Sequence, residues 1–311
     1  MNGLTKVLKR IHGNILYYRY KHLCEKDPRL AAYGLYDRIY GNHDGFNIDE
    51  PKSLIEKITW MELHTDTSLW TLCADKYRMR EYVAQCGFED YLPKLYGCWD
   101  NPESIDFGRL PNEFVLKANN GCGTVKIIKD KSTINERRLK KELKRWLRHK
   151  FGYLGAQLHY LSIVPCILAE ELLHQDEVQN VFSPESIVDY KVWCINGEPE
   201  SVLVVYGRDN HGYSLDLYDT EWNRMSDKLN QNGHFKFHKE GIPKPECLTR
   251  MLDMAKSLSK SFPEVRVDFY NINGKPIIGE LTFSTGYGYF TDEYYEYLGE
   301  KIDLEKLEKI K

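Results

Sequence analysis

The run VRVDFYNINGKPIIGELTFSTG, residues 265–286, holds two carboxylates and an arginine within a few turns of chain. Val265, Val267 and Phe269 alternate with Arg266, Asp268 and Tyr270, a period of two that marks a strand. Residues 271–274 are turn chemistry, since Asn and Gly tolerate positive φ. A second strand over 276–283 carries Glu280. Such a hairpin brings Asp268 and Glu280 to one mouth, with Arg266 beside them. Two chemistries fit this set. One is an ordinary hairpin salt bridge. The other is a pair of hard oxygen ligands for Mg²⁺, completed by phosphates.

Four further clusters bear on that choice. ANNGCGT joins two strands, and Gly121 and Gly123 free its backbone N–H groups to face an anion. Lys117 leads into it, although no Walker A pattern is present. Glu170 and Glu171 end the apolar run at LAEELL, either as a polar strand edge or as hydrogen-bonding groups beside a nucleotide. In DYKVWC, alternation puts Asp189 and Lys191 on one face and Tyr190 and Val192 on the other. Lys76 follows Asp75 at a helix start.

The elements that must position these groups follow from the periodicity. Residues 1–70 read as helical, with Leu54, Ile58 and Met61 at helical spacing after Pro51. A second helix is expected from Thr71, stopping at Gly87. Strands are expected near 91–99, over 114–117 and 125–128, and through SIVPCILAEELL. A hairpin turns at Asn196 and Gly197, and a helix spans about 247–261. Residues 134–150 form a basic helix whose face carries Leu139, Leu143, Trp146 and Leu147. Between 137 and 150 it holds eight Lys/Arg against one Glu, which fits a solvated face or a dock for an anionic polymer or lipid headgroup. Hairpins dominate the C-terminal half, so the fold class is α+β with antiparallel sheets.

The 311 residues are 42% hydrophobic and 29% charged, enough for two or three subdomains. The net charge of -3 excludes nucleic-acid binding driven by bulk charge. Eight cysteines form no CxxC pair, which argues against a zinc ribbon and a disulfide framework and fits a reducing cytoplasm. No stretch of 18 apolar residues exists, and the N-terminus does not read as a signal peptide.

The order of these signals resembles that of ATP-grasp ligases. Arg266–Asp268 and the segment from Glu280 to Gly286 are similar to the R-x-D and E-x-N-x-x-x-G segments of D-alanine–D-alanine ligases. Thr282 departs from that pattern, standing where the ligases carry a metal-ligand Asn; threonine is the weaker oxygen ligand. DKYRMREYV, LPKLYGCWDNPESIDFGRLPNEFVLKANNGCGT, LAEELL, DYKVWCINGEPE and FPEVRVDFYNINGKPIIGELTFSTGYG resemble a narrower group, the TupA-like ATP-grasp family. The likeness runs from about Asp27 to Tyr289 and concerns a family found among bacterial surface-polysaccharide genes.

The resemblance implies an ATP-grasp fold with a helical extension at 1–70, one ATP-gripping half at 71–170 and the other at 171–311. It implies ATP and Mg²⁺ as cofactors. Lys76 and Lys117 would contact nucleotide phosphates. Asn119, Asn120, Gly121, Cys122, Gly123 and Thr124 would fold over them as a lid. Glu170, Glu171 and the stretch through Leu172 and Leu173 would meet adenine and ribose, with Asp189 in the same nucleotide site. Lys191 and Arg266 would act on the transferring phosphate, and Asp268 and Glu280, with Thr282, would face the metal. The implied reaction joins an amine or amino acid to a carboxylate of a sugar or glycan through an acyl phosphate. Peripheral contact with a lipid-linked substrate is compatible with it. A kinase on the same fold and a nucleotide-binding protein without turnover are the alternatives, and the oligomeric state is open.

Overall fold

The computed structural model describes residues 3–231, 235–236, 240–284 and 287–307, with side chains from residue 13 onward. Thr285 and Gly286, which end the GELTFSTG run, lie outside the described residues, as do the two chain ends of the expected domain boundaries.

Helices α1 (Gly3–Lys26), α2 (Pro28–Tyr40) and α3 (Leu54–His64) make up the N-terminal part. Local chemistry sets their starts. Asp27 caps α2 by accepting from Leu30 N–H, with Pro28 at the first position. Ser53 and Glu56 form a reciprocal capping box on α3. The single helix expected from Thr71 to Gly87 is instead two, α4 (Ser68–Ala74) and α5 (Met79–Gln85). Asp75 causes the break. Its Oδ1 accepts from Tyr77 N at 2.8 Å and from Arg78 N at 3.2 Å, giving the backbone an alternative to the helical ladder.

A four-stranded antiparallel sheet follows, in the order β1-β4-β2-β3. Its strands are β1 (Leu95–Trp99), β2 (Phe114–Ala118), β3 (Val125–Ile128) and β4 (Ile167–Glu170). The basic helix α6 (Glu136–Leu147) covers one face, burying Leu139 and Leu143 against Phe114, Leu116 and Ile167 with Trp146 and Leu147 packed at the margin. The expected amphipathic face is therefore present, and the cations lie on the other side.

The second sheet has five antiparallel strands in the order β7-β6-β5-β8-β9. A short helix α7 (Glu177–Phe182) precedes it. The strands are β5 (Asp189–Ile195), β6 (Glu198–Asp209), β7 (Gly212–Tyr218), β8 (Glu264–Ile272) and β9 (Lys275–Thr282). Two Asn-Gly turns close hairpins, with φ of 52° and 81° at Asn196 and Gly197, and 53° and 79° at Asn273 and Gly274. Positive φ at both central residues matches the twist of the flanking strands. Helix α8 (Leu248–Ser259) packs on β5, β6 and β8 and buries Met251, Met254 and Leu258 with Val265, Val267 and Phe269. Helix α9 (Asp292–Glu300) packs on α3. Among the described residues, no helix is long and apolar enough to cross a membrane.

Candidate functional site

The face of the second sheet opposite α8 is polar, and strand register makes it so. Asp268 on β8 pairs with Lys191 on β5 and with Glu280 on β9. Arg266 pairs with Trp193 on one side and Thr282 on the other. Paired residues share a face, so these side chains form a grid looking one way. A bulge adjusts the grid. Phe269 opposes Ile278 while Asp268 opposes Glu280, which leaves Gly279 as the extra residue. Without it Glu280 would oppose Val267 and point into the core. A Cβ on Gly279 would lie 2.9 Å from the Tyr270 ring, so the bulge position suits glycine.

This grid floors a cleft of about 650 Å³ between the two sheets. The first sheet contributes Lys117, the glycine-rich loop from Gly121 to Thr124, and the segment Glu170, Glu171, Leu172 and Leu173. The second contributes Asp189, Lys191, Arg266, Asp268, Glu280 and Thr282, and Lys76 enters from the break between α4 and α5. Every site residue expected from sequence except Asn119 and Asn120 therefore lines one cavity.

Charges in the cleft are tightly interlocked. Arg266 holds Asp268 through two hydrogen bonds of 2.6 and 2.8 Å, and Lys191 Nζ contacts the same carboxylate. Arg266 Nη2 also donates to Thr282 Oγ1 at 3.2 Å and lies 3.5 Å from Glu280 Oε1. Lys76 Nζ lies 2.9 Å from Glu280 Oε2 and donates to Gly121 O at 2.7 Å, tying the loop to β9. Burial pushes the Asp268 carboxyl above the usual range against the pull of Arg266 and Lys191. Burial also acts on Glu280, but Lys76, Lys191 and Arg266 outweigh it and hold that carboxyl well below the usual range. Burial disfavours the charged Arg266, yet its bonds to Asp268 raise its pKa and keep it cationic.

At the other end, Lys117 Nζ lies 2.5 Å from Glu170 Oε2, and Arg80 Nη1 lies 3.3 Å from Glu170 Oε1. Glu171 Oε1 accepts from Lys94 N–H, just before β1, while its residue still borders the cleft. Asp189 meets Arg208 at 2.5 Å and Lys191 at 3.7 Å.

Asn119 departs from its expected place over the phosphates. Fully buried, it donates from Nδ2 to Val164 O at 2.9 Å and accepts at Oδ1 from Cys166 N at 2.8 Å. It anchors the base of the loop, and Asn120 likewise faces away from the cleft lining. Gly121 needs its glycine. Its φ is 74°, and a Cβ there would lie 2.1 Å from Phe151 Cγ.

Arg208, Gln157 and Tyr160 also line the cleft, Arg80 pairs with the cleft residue Glu170, and sequence reasoning missed all four. Arg80 sits inside DKYRMREYV, a stretch that stood out as a block, but no periodicity separates its guanidinium from an exposed one. Arg208 ends the VVYGRD strand, where a charge reads as solvated edge.

The donor chemistry fits Mg²⁺ bound with a polyphosphate. Asp268 and Glu280 supply two hard oxygens on adjacent strands, and Mg²⁺ commonly takes one or two carboxylates plus phosphates and waters. Among the described residues no group of three or more His, Cys, Asp or Glu could hold a metal, so phosphate oxygens would have to complete the set.

No curated protein matches the chain. Among solved structures, a D-alanine–D-alanine ligase from Bacillus anthracis complexed with ATP is similar at a TM-score of 0.46 and 14% identity, over 77% of this chain and 67% of that one. The ADP complex of purK, N5-carboxyaminoimidazole ribonucleotide synthetase, scores 0.44 at 14% identity, over 75% of this chain and 52% of that one. An L-amino acid ligase from Bacillus licheniformis scores 0.38 at 14% identity, covering 71% and 43%. The chain thus spans from under half to about two thirds of the length of these proteins. The model of the TupA-like ATPgrasp family matches residues 56–303, most of the chain. On that match, this chain belongs to the TupA-like ATP-grasp family.

Proposed function

We propose that this protein is an ATP- and Mg²⁺-dependent carboxylate–amine ligase, joining an amine or amino acid to a carboxylate of a sugar or surface glycan. In this reading residues 71–170 and 171–311 are the two halves that grip ATP, and 1–70 is a helical extension. The observation that carries it is the convergence of Lys76, Lys117, Lys191 and Arg266 with Asp268 and Glu280 on one cleft under a glycine-rich loop.

The residues divide the work as follows. Lys117 and Lys76 neutralise phosphate oxygens, and the loop from Gly121 to Thr124 offers backbone N–H groups to them. Glu170, Glu171, Leu172, Leu173 and Asp189 border the base and ribose. Asp268 and Glu280 would hold Mg²⁺, which when bound would offset charge on the phosphates. Arg266 and Lys191 face the transferring phosphoryl group. A carboxylate is a poor electrophile, so phosphorylation supplies a leaving group: the carboxylate oxygen attacks the γ-phosphorus and ADP departs. The amine then attacks the acyl carbon, loses a proton, and phosphate leaves with the C–O bond. The chain's contribution is positioning and charge neutralisation in a site from which water is kept.

The test is ADP release screened against uronic acids crossed with amino acids. Release that needs both partners, with an amide product by mass, supports the reading. Release with a phosphorylated acceptor and no need of an amine would make the protein a kinase. ATP binding without release on any pair would make it a non-catalytic nucleotide-binding protein.

A further inference from the structure

Helix α1 is held to the body along one face. Tyr17, Leu23 and Cys24 pack with Tyr153, and the Tyr20 hydroxyl donates to Gly34 O on α2. Ile15 and Tyr18 lie on the opposite side at helical pitch, and they are 64% and 66% exposed. The sequence carries the same spacing back along α1, with Ile11, Leu8 and Leu4 at steps of four, three and four. The helix thus has two apolar stripes, one packed on the protein and one that ends in solvent.

Charge says what covers the second stripe. α1 carries six Lys/Arg against one Glu, in a chain whose net charge is -3. That one acid, Glu25, is engaged: its Oε1 accepts from Tyr153 Oη at 2.9 Å and lies 3.8 Å from Lys21 Nζ. Arg19, next to Tyr18, is exposed and has no ion-pair partner among the described residues. The end of α6 adds cations. The rings of Tyr17 and His149 lie 4.3 Å apart, and Lys150 N–H donates to Tyr17 Oη at 3.2 Å, which brings the exposed Arg148 and Lys150 to the flank of α1. Two occupants could bury such a stripe, a second copy of the helix or a lipid surface. A second copy would set like charges against each other, with a single acid per helix to relieve them, whereas anionic headgroups complement them. The stripe also runs only from Leu4 to Tyr18, short of the about 3–4 heptads that mark a coiled coil. Tyrosine at the stripe's end suits the boundary between headgroups and acyl chains.

We propose that α1, flanked by the end of α6, is an interfacial helix that docks this protein on an anionic lipid bilayer. The exposed stripe enters the headgroup region and the surrounding cations meet lipid phosphates. The docking is peripheral and spans nothing. It stands apart from the ligase reading, since neither helix contributes to the lining of the ATP cleft.

Co-sedimentation of the full chain with vesicles tests this without turnover. Vesicles of phosphatidylcholine mixed with phosphatidylglycerol should pellet the protein, and phosphatidylcholine alone should do so at least about tenfold less well. The double variant Ile15→Ser, Tyr18→Ser should lower partitioning to the mixed vesicles at least about tenfold through lost apolar burial. Both positions are exposed, so the fold should persist, and a thermal melt checks it. Arg19→Gln should lower partitioning about fivefold at about 0.1 M salt, and much less at about 1 M, where screening acts within roughly 3 Å. Val181→Ser, which removes an exposed apolar side chain on α7, should change nothing. The inference is overturned if the parent does not pellet with the mixed vesicles, or pellets equally with both kinds. It is also overturned by unchanged partitioning in the double variant, by an equal loss in Val181→Ser, or by sedimentation velocity showing a dimer that the double variant breaks, which would make the stripe an interface between copies.

Discussion

Lys76 and Glu280 meet at 2.9 Å across the cleft, one on the turn between α4 and α5 and the other on β9. The contact joins a segment in the first third of the chain to the last strand. It holds the glycine-rich loop too, since the same ammonium donates to Gly121 O. A carboxylate assigned to metal is thus paired with a cation assigned to phosphate, and nucleotide with Mg²⁺ would exchange those partners.

Glu280→Gln should therefore remove Mg²⁺-dependent ADP release while the fold persists. The substitution keeps volume and hydrogen-bonding shape but deletes the charge. The loss should exceed the roughly 10–100-fold typical of an outer-shell partner. ADP release at the parent's rate with Mg²⁺ present would show that Glu280 does not face the metal.

Lys117→Ala should weaken ATP binding by at least about tenfold, or about 1.4 kcal/mol. The Lys117 ammonium lies 2.5 Å from Glu170 at the loop's base, and its loss leaves Glu170 paired with Arg80 alone. Calorimetry with ATP reads the affinity, and a thermal melt of the same sample checks the fold. Unchanged affinity would place the phosphates elsewhere.

Gly121→Ala and Gly123→Ala separate crowding from backbone strain. Both glycines have positive φ, 74° and 78°. A Cβ on Gly121 strikes the Phe151 ring, whereas one on Gly123 meets nothing within 4 Å. The second variant should cost only the left-handed penalty of about 1–2 kcal/mol. The first should cost more and raise the KM for ATP, because Gly121 O also holds Lys76. Equal melting temperatures and equal KM values for the two variants would refute the crowding argument.

Glu264 sets a pH dependence. It begins β8, is fully buried, and neither carboxyl oxygen has a hydrogen-bond partner among the described residues. Burial pushes its pKa well above the ordinary value of 4.5, against a pull from Arg266. The folded protein then keeps a proton that the unfolded chain loses above that ordinary value. Stability must fall as pH rises from there toward the folded pKa, by at most about 1.4 kcal/mol per pH unit. Glu264→Gln lacks this slope. Urea unfolding of both proteins from pH 5 to pH 8 should show the variant gaining on the parent as pH rises, and parallel curves would contradict it.

Much of the site was legible because its signals are local. The Asn-Gly turns, the two-residue period of VRVDF and the strand lysine before ANNGCGT depend on backbone preferences within a few residues. The TupA-like family and its fold were readable from these motifs in order, and the family match agrees. What only the tertiary structure decided depends on partners far along the chain. The bulge at Gly279, which turns Glu280 from the core to the cleft, is a matter of register between β8 and β9. Asp75 breaks the helix locally, but the place of Lys76 is set far along the chain, where its N–H meets Asn119 O at 3.0 Å and its ammonium meets Gly121 and Glu280. Arg80 gains its role from Glu170, 90 residues away, and Asn119 loses its expected place because Val164 and Cys166 claim its amide. Residue type and short-range period are written in the sequence, whereas which side chains share a face across strands is set by pairing, and one extra residue reverses it.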